Sequence, residues 1–519
     1  LELCLRIRKR GWTIRYAPEA LVRHKGQGSV RKESEAFVDI DSALNPNYPF
    51  YLYHRTKNRM LTTAIHARGA DAARFLLFYP AVLSLTCTRA ARRGRWDGIR
   101  AVFAGIRDFV PEIRQPFVDE LKQENPGKAP PKRKPDDDLR VAVVEPVGGH
   151  GGMGYYDFGL CGGLAEAGVE VSLYTCDETV RDTAKPYEIR LPYRGIYGKD
   201  PAWLRGLRYL RGSARSLLGA KLGRARIAHF HFFHVGPLEL FNVLLAKLLG
   251  TKVVVTAHDA RSFVESLSVP WMSKTAYRAA DGIIAQSEVS RRELVSVLGE
   301  PEGKIDAIPH GNYLPFIGEV PSQADAKARI GVPAGAPVIL FFGQIKSVKG
   351  LDVLIEAMPE FLRKHPDALL VVAGRVWKDD FRRYETRIED LGISDNCVLH
   401  VRYVPDSEVK NYYAAADIVA LPYRRIYQSG VLLMAMSYGK PAIVSDIAGM
   451  TEVVSDGING YVFPSGDSKA LAARLAAALS EPEELRLVGE RALTHVRERN
   501  DWTRIGRMTA DFYRSVVKG

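Results

Sequence analysis

The stretch DIVALPYRRIYQSGVLLMAMSYGKPAIVSD (417–446) decides the fold. It opens on a β-branched apolar run, breaks near Pro422 into a loop holding Arg424 and Arg425, and turns apolar again from Gly430. A second β-branched run, PAIVSD, follows. Short apolar runs around a helical segment read as two parallel strands joined by a helix. Val431, Leu432, Met434 and Ala435 put that helix against a sheet, so only its first turn faces a ligand. The amides of Gly430 and Val431 lack partners within the helix and Ser429 suits its cap, which together make an anion site. A well-capped buried helix is the plainer alternative. Between Ile426 and Pro441 there is no carboxylate, histidine or cysteine.

Outward from this unit the same pattern recurs. Strand candidates are 141–145, 169–175, 227–233, 252–258 and 282–287, then 337–343, 368–374, 397–401, 417–423 and 441–446. Helical patterns such as 350–364 and 467–480 separate them. Two such series predict two doubly wound α/β domains, over 139–320 and 321–500, facing a cleft; a last helix in 501–519 packs back on the first domain. QENPGKAPPKRKPDDD (123–138) buries nothing and reads as a linker. It sets 1–122 apart.

Ligands in such sheets bind beyond the carboxyl ends of the strands. The first such loop, PVGGHGGMGYYDFG (146–159), lets backbone approach a sugar or phosphate at Gly151 and Gly152, although glycine-rich turns are often only tight turns. HFHFFH (229–234) offers two histidines on one strand face but no convincing third metal ligand. His258 and Asp259 close a strand at the cleft, where a histidine can bond a sugar or move a proton. His310 and Asn312 in IPHGN (308–312) stand near the hinge. In FFGQIKSVKG (341–350), Gly343 and Gln344 end a strand and Lys346 and Lys349 follow before a helix. Cations so placed hold a diphosphate and stabilise it as a leaving group, or are simply solvated.

Composition bounds the rest. The 519 residues are 46% hydrophobic and 26% charged, which suits several globular domains. The five cysteines are scattered, as in a reducing cytosol. Net charge is +13, with 22 Lys/Arg against 13 Asp/Glu in 1–126. That excess lies outside the cleft domains, which argues against nucleic-acid binding. The most apolar run, 75–88, is too short to span a bilayer and contains Pro80. With the arginines and Trp96 that follow, 75–107 suits a helix lying on an anionic cytoplasmic membrane face, or equally a core helix and a polar loop.

Residues 139–519 resemble a family 4 glycosyltransferase of the GT-B fold. The resemblance rests on GGMGYY (151–156), TAHD (256–259), ADGIIAQSE (280–288), IPHGN (308–312), FFGQIKSVKGLDVLIEA (341–357), YVPDSEVKNYYAAADIVALPY (403–423), QSGVLLMAMSYGKPAIVSD (428–446) and EVVSDGINGYVFPSGD (452–467). It implies metal-independent transfer, without a cofactor, of a sugar from a nucleotide-diphosphate sugar to a glycan or lipid-linked acceptor, with retention of configuration. Cell-surface polysaccharide or glycolipid assembly is the implied setting. Donor contacts fall on Gly343, Gln344, Lys346, Lys349, Arg425, Gln428, Ser429, Gly430 and Val431. Acceptor contacts fall on Gly151, Gly152, His258, Asp259, His310 and Asn312, with His258 and Lys349 as the catalytic residues. Two family glutamates are replaced, by Ile426 and Met434, and a usual arginine by Gln344. A non-catalytic nucleotide-binding or scaffold module of the same fold, or an epimerase, are the alternatives. Residues 1–125 resemble the tail of a family 2 glycosyltransferase of the GT-A fold, through LELCLRIRKRGWTIRYAPEALVRHKGQGS (1–29). That resemblance implies an inactive remnant of a two-transferase polypeptide, with His24 the counterpart of a metal-facing histidine.

Overall fold

The computed structural model describes residues 49–50, 52–56, 79, 82–84, 86–92, 94–106, 139–149, 152–179, 185–258, 270–299 and 301–518. Residues 1–29, the linker 123–138, Gly151 and Asp259 lie outside the described residues. The chain divides into two compact units, Leu1–Lys132 and Arg133–Gly519. In the first, residues 52–56, 86–92 and 96–106 are helical, with Leu52, Ala90 and Val102 buried together. Trp96 is exposed there beside an Arg95–Asp97 ion pair. Residues 75–78, 80–81, 85, 93 and 107 of the proposed interfacial segment lie outside the described residues.

The second unit holds two all-parallel sheets. The first has the order β3-β2-β1-β4-β5-β6-β7. Its strands are β1 (Arg140–Glu145), β2 (Glu170–Thr175), β3 (Glu188–Arg190), β4 (Ile227–Phe232), β5 (Lys252–Ala257), β6 (Gly282–Ala285) and β7 (Ile305–Ala307). The second runs β10-β9-β8-β11-β12-β13. It comprises β8 (Val338–Phe342), β9 (Leu369–Ala373), β10 (Cys397–His400), β11 (Ile418–Leu421), β12 (Ala442–Ser445) and β13 (Tyr461–Phe463). Nearly every residue of the central strands is buried, which explains their unbroken apolar runs. β3, β7 and β13 were not expected from the sequence. Each is a three-residue edge strand, too short to print a pattern.

Six helices position the cleft: α1 (Met153–Glu166), α2 (Ala202–Leu222), α3 (Pro237–Leu248), α4 (Leu351–Leu362), α5 (Gly430–Ser437) and α6 (Trp502–Lys518). α2 and α3 cover one face of the first sheet, α1 and α6 the other. α6 docks because Gly159 and Gly163 leave room for Trp502, where a Cβ at Gly159 would overlap the indole. The Trp502 indole N–H donates to Asn312 C=O at 2.8 Å. The chain crosses between domains twice, and the crossings bond to each other. The Asn312 amide donates to Asn500 C=O (2.7 Å), and the Asn500 side chain donates to His310 C=O (2.7 Å).

Candidate functional site

On the second domain, Gly343 ends β8 with φ of 106°, and a Cβ there would lie 3.2 Å from Val431 Cγ2. The β8 loop and the start of α5 are therefore in contact. Ser347–Lys349 form a 3₁₀ turn closed by Gly350 at φ of 68°, where any side chain would run into Pro422 C=O. That approach brings the Lys349 ammonium over the Tyr423 ring, 3.7 Å from its centroid. Burial, and then the neighbouring Lys346, pull the Lys349 ammonium down to about 7. Lys346 Nζ stands 6.0 Å from the Trp377 ring centroid.

Arg424 stitches the two loops. Its amide donates to Val348 C=O (2.9 Å), and its guanidinium donates to Ser347 C=O (2.9 Å) and the Asp352 carboxylate (2.8 Å). Arg425 is exposed, Gln344 is half-buried, and the Gln428 side-chain nitrogen is buried without a hydrogen-bond partner. Ser429 caps α5, its Oγ accepting from the Leu432 amide (3.2 Å) and its C=O from Leu433. The Gly430 and Val431 amides are left out of that cap. Tyr313, from the hinge, puts its hydroxyl 2.7 Å from where a Gly430 Cβ would stand. Ile426 and Met434 pack on the second domain's core.

The first domain's lip is built mainly from aromatic and histidine rings. Tyr156 of α1 sits among His231, His258, His310 and Trp502, with ring centroids at 5.1, 4.9, 5.0 and 5.5 Å. His231 Nδ1 and His258 Nε2 share a proton at 3.2 Å, and His229 is held between Thr256 (2.7 Å) and the Tyr513 hydroxyl (2.6 Å). Burial is the main cause that pulls His229 down to about 3, His310 to about 4, and His231 and His258 well below the ordinary histidine value. Within HFHFFH, His229 and His231 are thus packed and held toward the neutral form while Phe233 and His234 are exposed, and no metal-holding cluster exists among the described residues. Two expected acceptor contacts lie at the crossing between the domains. Asn312 is buried with its side chain on Val496 C=O and Leu314 N–H, and His310 is stacked on Tyr313. Gly148 and Gly149 are needed because the 175–179 loop fills their Cβ positions, while Gly152 (φ of 88°) starts α1 facing open space.

A crevice of about 310 Å³ opens where β1 and β4 diverge, the point of the sheet where connections leave in opposite directions. Its polar lining is Glu145, Tyr197, Arg205, Tyr209, His231, His234, Glu239 and Asn242. Glu145 Oε2, Arg205 Nε, His231 Nε2 and Asn242 Oδ1 are buried there with no hydrogen-bond partner. Buried polar atoms are normally paired with protein, ordered water or a ligand, so four unpaired ones around one cavity make it a candidate ligand site. Burial pushes the Glu145 carboxyl up to about 8, and Asp157 of α1 is also pushed up by burial and by Glu145. Sequence reasoning missed this crevice. Its only signal was a carboxylate, Glu145, closing an otherwise apolar strand.

Comparison with known proteins agrees with this architecture. Residues 150–312 match the model for Glycosyltransferase Family 4, and residues 322–495 that for Glycosyl transferases group 1. The D-inositol 3-phosphate glycosyltransferase of Kineococcus radiotolerans is 28% identical over 406 residues, 72% of this chain and 92% of the relative. That of Nocardia farcinica is 28% identical over 377 residues, 67% of this chain and 81% of the relative. Among solved structures, sucrose-phosphate synthase from Thermosynechococcus elongatus superposes with a TM-score of 0.57 at 20% identity, covering 73% of this chain and 99% of that one. Anabaena HepE in complex with UDP-glucose gives 0.57 at 18% identity, covering 73% and 100%. With two parallel-sheet domains hinged at 310–313 and 496–502, the chain is a glycosyltransferase of the GT-B fold, similar to those of family 4.

Proposed function

We propose that the second unit transfers a sugar from a nucleotide-diphosphate sugar to a glycan or lipid-linked acceptor, with retention and without a metal, in assembling a cell-surface polysaccharide or glycolipid at the cytosolic membrane face. The observation that carries this reading is the stitched pair of loops, which sets Lys346, Lys349 and the α5 N-terminus around one space. The diphosphate lies against the Gly430 and Val431 amides, and Lys349 neutralises the charge that builds on the leaving phosphate. Gly343 permits close approach, and Gln428 or Arg425 takes over the contacts to sugar and ribose that the replaced glutamates would have made. The acceptor enters from the first domain, its hydroxyls satisfying the unpaired groups of the crevice. HepE is named as binding UDP-glucose and the curated relatives as acting on D-inositol 3-phosphate, a donor and a polyol of this kind. No enzymic nucleophile is needed, because stabilising the leaving group lets the acceptor attack from the same face.

Thermal shift and hydrolysis measured against UDP-, GDP- and dTDP-sugars test the reading. One nucleotide series is expected to raise the melting temperature and to be turned over slowly in water. Absence of any shift with all three series refutes it.

A further inference from the structure

α2 carries its apolar residues on the wrong side. Gly212, Ser213, Ser216, Leu217 and Ala220 are buried against the sheet, yet Trp203, Leu207, Leu210, Leu218 and Leu222 face outward. Trp203 is 72% exposed. Their spacing draws one stripe along a helix about 31 Å long. α3 lies beside α2, with Asn242 donating to the Tyr209 hydroxyl at 3.0 Å, and adds exposed Phe241, Leu244 and Leu248. Large apolar side chains gathered on two neighbouring helices are not an ordinary protein surface.

Charge identifies what covers it. Residues 202–226 contain seven Arg/Lys and no Asp or Glu. Arg208 is engaged by Asp200 and Gly195 C=O, but Arg211, Arg215 and Arg224 are exposed beside the stripe. Tryptophan and leucine flanked by arginine is the chemistry of a helix lying in the headgroup zone of an anionic bilayer. A protein partner of matching shape would need its own acidic rim; a bilayer supplies apolar depth and anionic rim together.

We propose that the outer face of α2 and α3 docks the second unit on an anionic phospholipid surface. This is separate from the segment 75–107 of the first unit. The same helix also contributes Arg205 and Tyr209 to the crevice, so docking sets the crevice mouth beside the membrane. Lipid-linked acceptors then arrive by diffusion in two dimensions. The docking itself does not depend on the transfer reaction, and its test needs no donor.

Co-sedimentation of the full chain with extruded vesicles tests it. Vesicles of phosphatidylcholine alone are compared with vesicles containing one-third phosphatidylglycerol. The chain is expected to pellet with the anionic vesicles only. The double variants Trp203→Gln/Leu207→Gln and Arg211→Gln/Arg215→Gln are each expected to weaken partitioning about tenfold or more, with unchanged circular dichroism, because all four side chains are exposed. Three results overturn the proposal: no binding to anionic vesicles, binding that both variants retain, or a dimer of the parent chain that the variants dissociate while vesicle binding stays absent. The second result would assign binding to the basic first unit, the third would make the face a contact between copies.

Discussion

The two lips of the cleft were built with opposite electrostatics. The second domain offers charge: two lysines, one held over an aromatic ring, and a helix N-terminus. The first offers four buried histidines kept neutral and two carboxyls pushed toward their protonated forms. Burial drives both, since it disfavours whichever form is charged. The difference teaches how one cleft can hold two substrates. On the proposed reading an anionic donor is drawn to one side, while the other presents mainly hydrogen-bonding groups to the acceptor, with Arg205 and Glu239 in its crevice.

The sharpest way to break this contrast is to remove the cation proposed to face the leaving group. Lys349→Ala is expected to lower turnover by about 10²–10³-fold, as when a group aimed at developing charge is lost. Steady-state rates with the donor found in the nucleotide screen check it, and a near-normal rate removes Lys349 from the mechanism. Stability should not fall. An unfolded lysine keeps its proton up to 10.5 but the folded one releases it near 7, so the charge costs stability below that range.

A second experiment follows from the same ammonium. Free, Lys349 is half-charged near pH 7, and a bound diphosphate favours its protonated form. Binding therefore takes up a proton above pH 7, and donor affinity should fall by up to about tenfold per pH unit as pH rises from there. Below pH 7 this group adds no dependence. Calorimetric titration of the nucleotide sugar from pH 6 to about 9 measures it; a flat profile shows that Lys349 does not meet the phosphate.

Smaller, and aimed at the seam between the lips, is Gly430→Ala. The new Cβ would stand 2.7 Å from the Tyr313 hydroxyl, so it displaces either that ring or the α5 amides. Nucleotide affinity is expected to drop several-fold, and Tyr313→Phe in the same chain to restore most of it by making room. Failure of the rescue locates the loss in α5 itself.

Much of this was legible from residues alone, and unevenly so. The ten longer strands printed themselves because both faces of a parallel sheet are buried, which forces unbroken β-branched runs. The placement of Lys346, Lys349 and the α5 start just beyond strand ends was readable, and such ends are where ligands bind in these sheets. What closed the site was not readable. Gly350 against Pro422, Arg424 against Asp352 and Tyr423 under Lys349 are pairings of residues 70 or more positions apart, without a local signature. The hinge hides for a related reason. His310 and Asn312 look like ligand contacts in a line of sequence, and the partners that bond their backbone, Trp502 and Asn500, arrive from the far end of the chain.

The first domain's neutrality makes two predictions about stability, the larger in acid. An unfolded histidine takes its proton near 6.5, whereas folded His229 and His310 resist down to about 3 and 4. Their contribution is thus fully present above pH 6.5 and is lost as pH falls toward 4. Denaturant unfolding followed from pH 7 to 4 should show a steep loss with uptake of several protons, and His229→Gln should reduce that uptake by about one proton. An unchanged proton count would mean that His229 is already charged in the folded protein.

The smallest effect has the opposite sign and concerns the carboxyl beside the crevice. Both oxygens of Asp157 are buried without a partner, and burial with the Glu145 carboxyl nearby holds the acid well above the ordinary 3.8. The unfolded chain ionises this residue by pH 5, the folded chain does not. The linkage therefore runs from full stability below the ordinary value to progressive loss as pH rises through the folded one. Asp157→Asn keeps the shape and removes the titration, so its melting temperature should exceed the parent's at pH 7.5 and converge with it near pH 4. Scanning calorimetry at both pH values checks this. A variant less stable at pH 7.5 would mean that the carboxylate is ionised and paired in the folded protein, and that the first lip of the cleft carries charge after all.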